Sequence, residues 1–154
     1  MALNVKDLRI VSSAFTALER IPKRYTSEGE NISPPLEWSG LPAGTKQLAL
    51  ICHDPDAPLP DGFTHWTIYG IPANVSQLAE AGGSKFTEGM NSSDKPGYTG
   101  PAPPAGHGPH HYYFWLYALD KELDLKPSLN REQLLNAIAD HVIEQARLVG
   151  IYER

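Results

Sequence analysis

The sequence predicts a mainly β domain with helical cover, on three observations. Short apolar and aromatic runs of strand length recur along the chain, at residues 47–53, 63–71 and 110–120, and Gly/Pro-rich stretches bound them. Gly and Pro number 13 and 14 in 154 residues, but they cluster between those runs, as in a loop-rich β protein and unlike a disordered chain. A sustained helical period occurs late, over residues 131–146. Length and pattern together predict a single domain over residues 1–154.

Leu8-Arg9-Ile10-Val11-Ser12-Ser13-Ala14-Phe15 reads as a first strand. Ile21 to Trp38 is mostly loop, with Glu28-Gly29 and Ser33-Pro34-Pro35 as turns, and Leu36 and Trp38 form a short strand. Gln47 to His53 is continuously apolar, the pattern of a fully buried strand. It ends in Asp54-Pro55-Asp56-Ala57-Pro58, where Ala57-Pro58 is a candidate cis bond. Phe63 to Ile71 forms the next strand, closed by Pro72. Residues 74–96 are polar and irregular, with a helical turn over Ser76–Ala81 that Gly82-Gly83 stops. Residues 97–109 hold four prolines and four glycines, so they form a stiff irregular loop. The strand that follows places His110, Tyr112, Phe114 and Leu116 on one face and His111, Tyr113, Trp115 and Tyr117 on the other. Neither face is polar, which predicts a central strand covered on both sides.

Asn130 and Gln133 form a capping-box pair ahead of Leu134, Ile138, Val142 and Ala146, which are spaced by four along one stripe. That spacing predicts a helix over 131–146, followed by a terminal strand over Arg147–Arg154.

Several function classes lack their signals. The net charge is −5 and no Lys/Arg run exists, which argues against nucleic acid as a partner. The single cysteine, Cys52, excludes an internal disulfide and a multi-cysteine zinc site, and its apolar setting predicts an inert buried thiol. No apolar stretch approaches a membrane span, and no leader-like run opens the chain, so a cytoplasmic protein is expected. The Gly-x-Ser-x-Gly, P-loop and dinucleotide fingerprints are absent, and no compact His ligand spacing marks a metal site.

Each polar residue alone has an ordinary structural reading: an Asx turn for Asp54 or Asp56, a satisfied strand residue for His65 or His110, exposed or structural roles for His107 and His111. Their combination is sharper. Two histidines near strand starts, a strand-end aspartate, a tyrosine and a Gly/Pro loop offer hydrogen-bond donors around a small concavity. That set suits a phosphate or a carboxylate, with a nearby Asp54 raising the histidine pKa values.

These motifs occur in a familiar order. The stretches Ile21-Pro22-Lys23-Arg24-Tyr25-Thr26, Asn31 to Trp38, Asp54-Pro55-Asp56-Ala57-Pro58, His65-Trp66, Gly100-Pro101-Ala102-Pro103-Pro104-Ala105-Gly106 and His110-His111-Tyr112 resemble the phosphatidylethanolamine-binding protein (PEBP) family, in its bacterial and archaeal Raf-kinase-inhibitor-like branch. The resemblance runs from about Ile21 to the C-terminus. It implies a large central antiparallel sheet with a smaller sheet on one face and helical cover on the other. It also implies an anion pocket for phosphate, phosphorylated head groups or carboxylates. Carried over position by position, that pocket is Asp54, His65, His110 and Tyr112, with Ala102 and Pro104 on its wall and Phe63 at its rim. Ala102 stands where close relatives have cysteine, His111 where arginine is common, and residues 90–96 depart from the family pattern.

The reading that follows is a small regulatory anion-binding protein without catalysis, metal or cofactor. In it His65, His110 and Tyr112 donate to the ligand, and binding weakens as pH rises through the histidine pKa values. A protein-interaction regulator of a kinase or protease is the alternative, and a phospho-ester hydrolase or lyase ranks below both. Bacterial relatives that pair imply a homodimer.

Overall fold

A computed structural model describes residues 6–154. Eight strands form two antiparallel sheets. Strands β1 (Arg9–Val11), β2 (Leu36–Ser39) and β5 (Gln77–Leu78) make the smaller sheet, in the order β1-β2-β5. The larger comprises β3 (Gln47–Asp54), β4 (Phe63–Pro72), β6 (Thr87–Glu88), β7 (His110–Leu119) and β8 (Val142–Tyr152), in the order β6-β4-β3-β7-β8. Among the described residues one α-helix, α1 (Arg131–Ile138), lies in the connection between β7 and β8. The mainly β fold with helical cover therefore agrees with the sequence pattern, and the large and small sheets agree with what the family resemblance implies.

Alternation along β3 explains the two layers. Leu48, Leu50 and Cys52 face a core shared with Ile10, Leu36, Trp38 and Leu78 of the smaller sheet. Ala49 and Ile51 face the other side, where Leu134 and Ile138 of α1 cover them. Both faces of β3 are thus dry, and every β3 residue after Gln47 is buried. Each large apolar side chain buried this way contributes about 1.5–3 kcal/mol.

The structure differs from the sequence reading in five places. The helix stops at Ile138, and residues 142–152 belong to β8, which pairs with β7 from Leu119↔Val142 to His110↔Tyr152. A spacing of four is even, so it reads as a strand face as well as a helix stripe, and a register shift at Ala118/Leu119 then turns Val142 to the helix-side core and leaves Ala146 in the other. The long ladder with β7 decides between them. The first strand covers only Arg9–Val11, because the Ser12 hydroxyl turns back to Pro35 O (2.6 Å) and accepts from Ala14 N (3.0 Å). Residues 76–81 supply an edge strand, Gln77–Leu78, in place of a helical turn, because Leu36 and Glu37 of β2 offer it a ladder. β7 is central, but only its His110–Leu116 face is fully dry; His111, Tyr113, Trp115 and Tyr117 are half-buried, with the Arg147 guanidinium over the Tyr113 and Trp115 rings. Finally, among the described residues no peptide bond is cis, so Ala57-Pro58 is trans.

Candidate functional site

Antiparallel pairing brings the end of β3 beside the starts of β4 and β7. Asp54 pairs with Phe63, and His53 pairs with Tyr113. On β7, His110 and Tyr112 share the core-side face with Phe114, and on β3 Asp54 follows Cys52 onto that face. β4 reaches the same place through a bulge. The register slips between Cys52↔Trp66 and His53↔Thr64, which leaves His65 as the extra residue. A bulge re-aims side chains, and here both His65 and Trp66 turn to the core side.

The result is a cleft of about 420 Å³ where the large core runs out at the end of the sheet. Asp54, His65, Ala102, Pro104, His110 and Tyr112 all line it, so the six residues singled out in the sequence share one cavity. Phe63 stands at 4.7 Å from the His65 ring, between centroids, and Tyr112 meets the same ring edge-on at 5.2 Å. The proline loop is bolted in place as a wall. Asn31 Oδ1 accepts from Gly100 N at 2.6 Å, Tyr98 Oη donates to Tyr25 O at 2.6 Å, and Thr99 N donates to His65 O at 2.9 Å. Gly100 is required there, since a Cβ would strike Tyr25 O.

The hydrogen bonds assign nearly every polar atom. His110 Nδ1 donates to Asp54 Oδ2 at 2.7 Å, with both side chains at most 3% exposed. Asp54 Oδ1 accepts from Asp56 N at 2.7 Å. His110 Nε2 meets His107 Nδ1 at 2.7 Å, one proton lying between them. His65 Nδ1 donates to Thr99 O at 2.7 Å. A carbonyl only accepts, so this bond fixes the proton on Nδ1 and leaves Nε2 of the neutral ring as an acceptor. Tyr112 Oη is different: it is the one buried side-chain N or O without a partner among the described residues.

Electrostatics follow burial. Desolvation pushes the His65 imidazole down to about 4, despite the opposing bond to Thr99 O. Burial raises the Asp54 carboxyl, against the pull of the His110 and Asp56 N–H groups. Burial also raises the Tyr112 hydroxyl, with the Asp54 charge adding to it, so Tyr112 stays a donor. Two expectations are corrected. Asp54 does pair with a histidine, His110, but it does not raise the His65 pKa, because burial outweighs any neighbouring charge at that ring. Nor do both histidines present a free N–H: both His110 nitrogens are engaged and His65 has spent its proton.

Sequence reasoning overlooked the His107 contact, the Thr99 carbonyl, and Leu59 and Ser93 at the cleft. His107 lies three residues before His110 across a Gly-Pro turn, a spacing that could have flagged it. His111, half-exposed, is held by Asp56 Oδ2 at 2.8 Å outside the cleft. Cys52 is buried and its thiol is pushed well up by desolvation, as its apolar run predicts. No group of three or more His, Cys, Asp or Glu among the described residues is arranged to hold a metal ion. A larger cleft, about 630 Å³, opens on the opposite face between β4 and α1. There His53 Nδ1 bonds Thr64 Oγ1 at 3.0 Å, and no orphaned buried group faces it. No described helix is long and apolar enough to cross a membrane.

Comparison with known proteins locates this geometry. The family model for phosphatidylethanolamine-binding proteins matches residues 11–153. A UPF0098 protein of Methanothermobacter thermautotrophicus is 48% identical, covering 96% of this chain and 99% of the relative. The crystal structure of a PEBP homolog from Chlamydia trachomatis superposes with a TM-score of 0.91 at 40% identity, covering 96% of this chain and 98% of that one. Escherichia coli YbcL, described as a member of the mammalian PEBP family, gives 0.90 at 30% identity over 97% and 99%.

Proposed function

Because this chain belongs to the phosphatidylethanolamine-binding protein family, we propose that it binds the acidic group of a small molecule in the cleft of Asp54, His65, Ala102, Pro104, His110 and Tyr112. The acidic group is a phosphate, a phosphorylated head group or a carboxylate, and the protein acts as a regulator and not as a catalyst.

The observation that carries this reading is Tyr112 Oη. It belongs to a residue that is 1% exposed and lines the cleft, and among the described residues nothing accepts its proton. A buried hydroxyl without a partner costs about 1–3 kcal/mol. An acceptor oxygen held in the cleft removes that cost. The Asp54–His110–His107 chain supports the same reading as scaffolding, since it holds the cleft's floor rigid without using Tyr112. The non-catalytic part rests on the cleft's bonds: no histidine there is hydrogen-bonded to a hydroxyl or a thiol. A protein partner that carries the acidic group is favoured by one feature, the apolar lip at Leu59, which is 53% exposed beside the cleft.

Isothermal titration with phosphate, O-phosphoethanolamine and acetate at pH 6 tests the site. Saturable binding that drops about tenfold in Tyr112→Phe is expected, the worth of one hydrogen bond to a charged acceptor. Binding equally strong in the variant would remove the cleft from consideration.

A further inference from the structure

The bonding pattern of the cleft says more about its ligand than its sign of charge. Four imidazole nitrogens stand at or beside it with assigned partners: His65 Nδ1 on Thr99 O, His110 Nδ1 on Asp54, and His110 Nε2 against His107 Nδ1. Among the described residues His65 Nε2 makes no hydrogen bond, and on the neutral ring it carries a lone pair. The second open atom is Tyr112 Oη, which has a proton to give. The cleft therefore presents one acceptor and one donor on rings whose centroids are 5.2 Å apart.

Charge around this pair does not invite a dianion. No Lys or Arg lines the cleft, and Asp54 is in its wall. The groups about His65 are His53 and Asp54 from β3, His110 and Tyr112 from β7, and the Thr99 and Gly100 backbone from the proline loop. Arg154 is tied to the loop, its Nε donating to Pro103 O at 2.6 Å, and is the one cation whose charge acts on the Tyr112 hydroxyl, while Asp56 is engaged by His111. A fully ionised phosphate would set its oxygens against the His65 lone pair and near Asp54, with one donor in return.

We infer that the cleft takes its acid in the singly protonated form, the ligand's O–H donating to His65 Nε2 while an ionised oxygen of the same group accepts from Tyr112 Oη. The inference rests on the anion-binding reading above and specifies its ligand as a phosphomonoester monoanion. The burial that holds His65 neutral down to about pH 4 keeps this demand in force across the physiological range. The proton arrives on the ligand, stays in the hydrogen bond to Nε2, and is neither consumed nor released while the ligand is a monoanion. The cleft then discriminates against sulfate esters, which match a phosphomonoester monoanion in shape and charge but carry no proton. Carboxylates satisfy the pair only through their protonated fraction, so they bind more weakly near neutrality than at pH 5.

The test uses the wild-type chain and three small probes: methyl phosphate, methylphosphonate and methyl sulfate, titrated calorimetrically from pH 5 to 8. Methyl phosphate is expected to bind with constant affinity below its second pKa, near 6 for such esters, and to lose about tenfold per pH unit above it. Methylphosphonate, whose second pKa is higher, is expected to follow the same curve displaced upward by the difference. Methyl sulfate is expected to bind more than tenfold more weakly than methyl phosphate at pH 5.5. Equal binding of methyl sulfate, or a midpoint that stays fixed between the two phosphorus ligands, overturns the inference and leaves the anion site standing. Absence of binding by every probe at every pH overturns the anion site and this inference together.

Discussion

Tyr112 and His65 carry opposite consequences at the scale of single residues. Tyr112 Oη lacks a partner among the described residues, so Tyr112→Phe removes an unsatisfied group. The variant is expected to be as stable as wild type or more stable by up to about 1 kcal/mol in urea unfolding. A loss of more than about 1 kcal/mol would mean that the hydroxyl is satisfied within the fold. His65 and His53 are both pushed down to about 4 from an ordinary 6.5 by burial. Their folded values lie below their unfolded ones, so the unfolded chain binds more protons between those limits. Stability is then full above about pH 6.5 and falls as pH drops toward 4, by at most about 1.4 kcal/mol per pH unit for each ring. Asp54, raised by burial, acts in the opposite sense at the acid end of that window. His65→Asn, which keeps a donor near Nδ1, is expected to flatten the profile of urea midpoint against pH, and an unchanged slope would assign the acid loss elsewhere. The site's residue identities were legible because Asp54, His65, His110 and Tyr112 sit at strand ends in recognisable stretches. Their protonation was not, because it depends on Thr99 O and His107, which loops bring from 34 and 3 residues away.

At the scale of elements, the chain reads best where period and length agree. β3, β4 and β7 are continuous apolar or aromatic runs, and their observed bounds fall within a residue of the sequence reading. The segment after Ile138 reads worst, because spacing by four satisfies a helix stripe and a strand face equally. Only the β7 ladder resolves it, and a ladder to a strand 30 residues earlier leaves no local trace. The helix start was legible: Asn130 Oδ1 accepts from Gln133 N, and Gln133 Oε1 accepts from Asn130 N, both at 2.9 Å. Asn130→Ala is therefore expected to cost about 0.5–2 kcal/mol by chemical denaturation. A neutral effect would show that tertiary packing of Leu134 and Ile138 alone sets the helix. β8 makes a sharper demand at Gly150, where a Cβ would stand 2.5 Å from Ile21 Cγ1 and 2.8 Å from Phe15 Cε2. Gly150→Ala is expected to destabilise by about 1–3 kcal/mol through overpacking, and to do so without altering the phosphate titration. An unchanged urea midpoint would show that the segment before Ile21 moves aside freely.

For the whole molecule, the site is a consequence of unequal sheets. The five-stranded sheet extends past the core it shares with the three-stranded one, and its core-side face continues beyond Cys52, Trp66 and Phe114 into the cleft. Polar residues occupy that extension because water or a ligand reaches it, and the bolted proline loop limits its width. The larger opposite cleft has its own histidine, bonded through Nδ1 to Thr64 Oγ1, but among the described residues no buried side-chain N or O there lacks a partner as Tyr112 Oη does. The central claim is therefore that ligand binding belongs to the Tyr112 cleft. The most direct measurement is an amide chemical-shift map of the labelled protein titrated with inorganic phosphate at pH 6, repeated on Tyr112→Phe. The account predicts saturable shifts at Asp54, His65, Thr99, Ala102 and Tyr112, lost or weakened in the variant. Shifts centred on Asn91, Arg131 and Asn136 instead, or a map indifferent to the substitution, would contradict it.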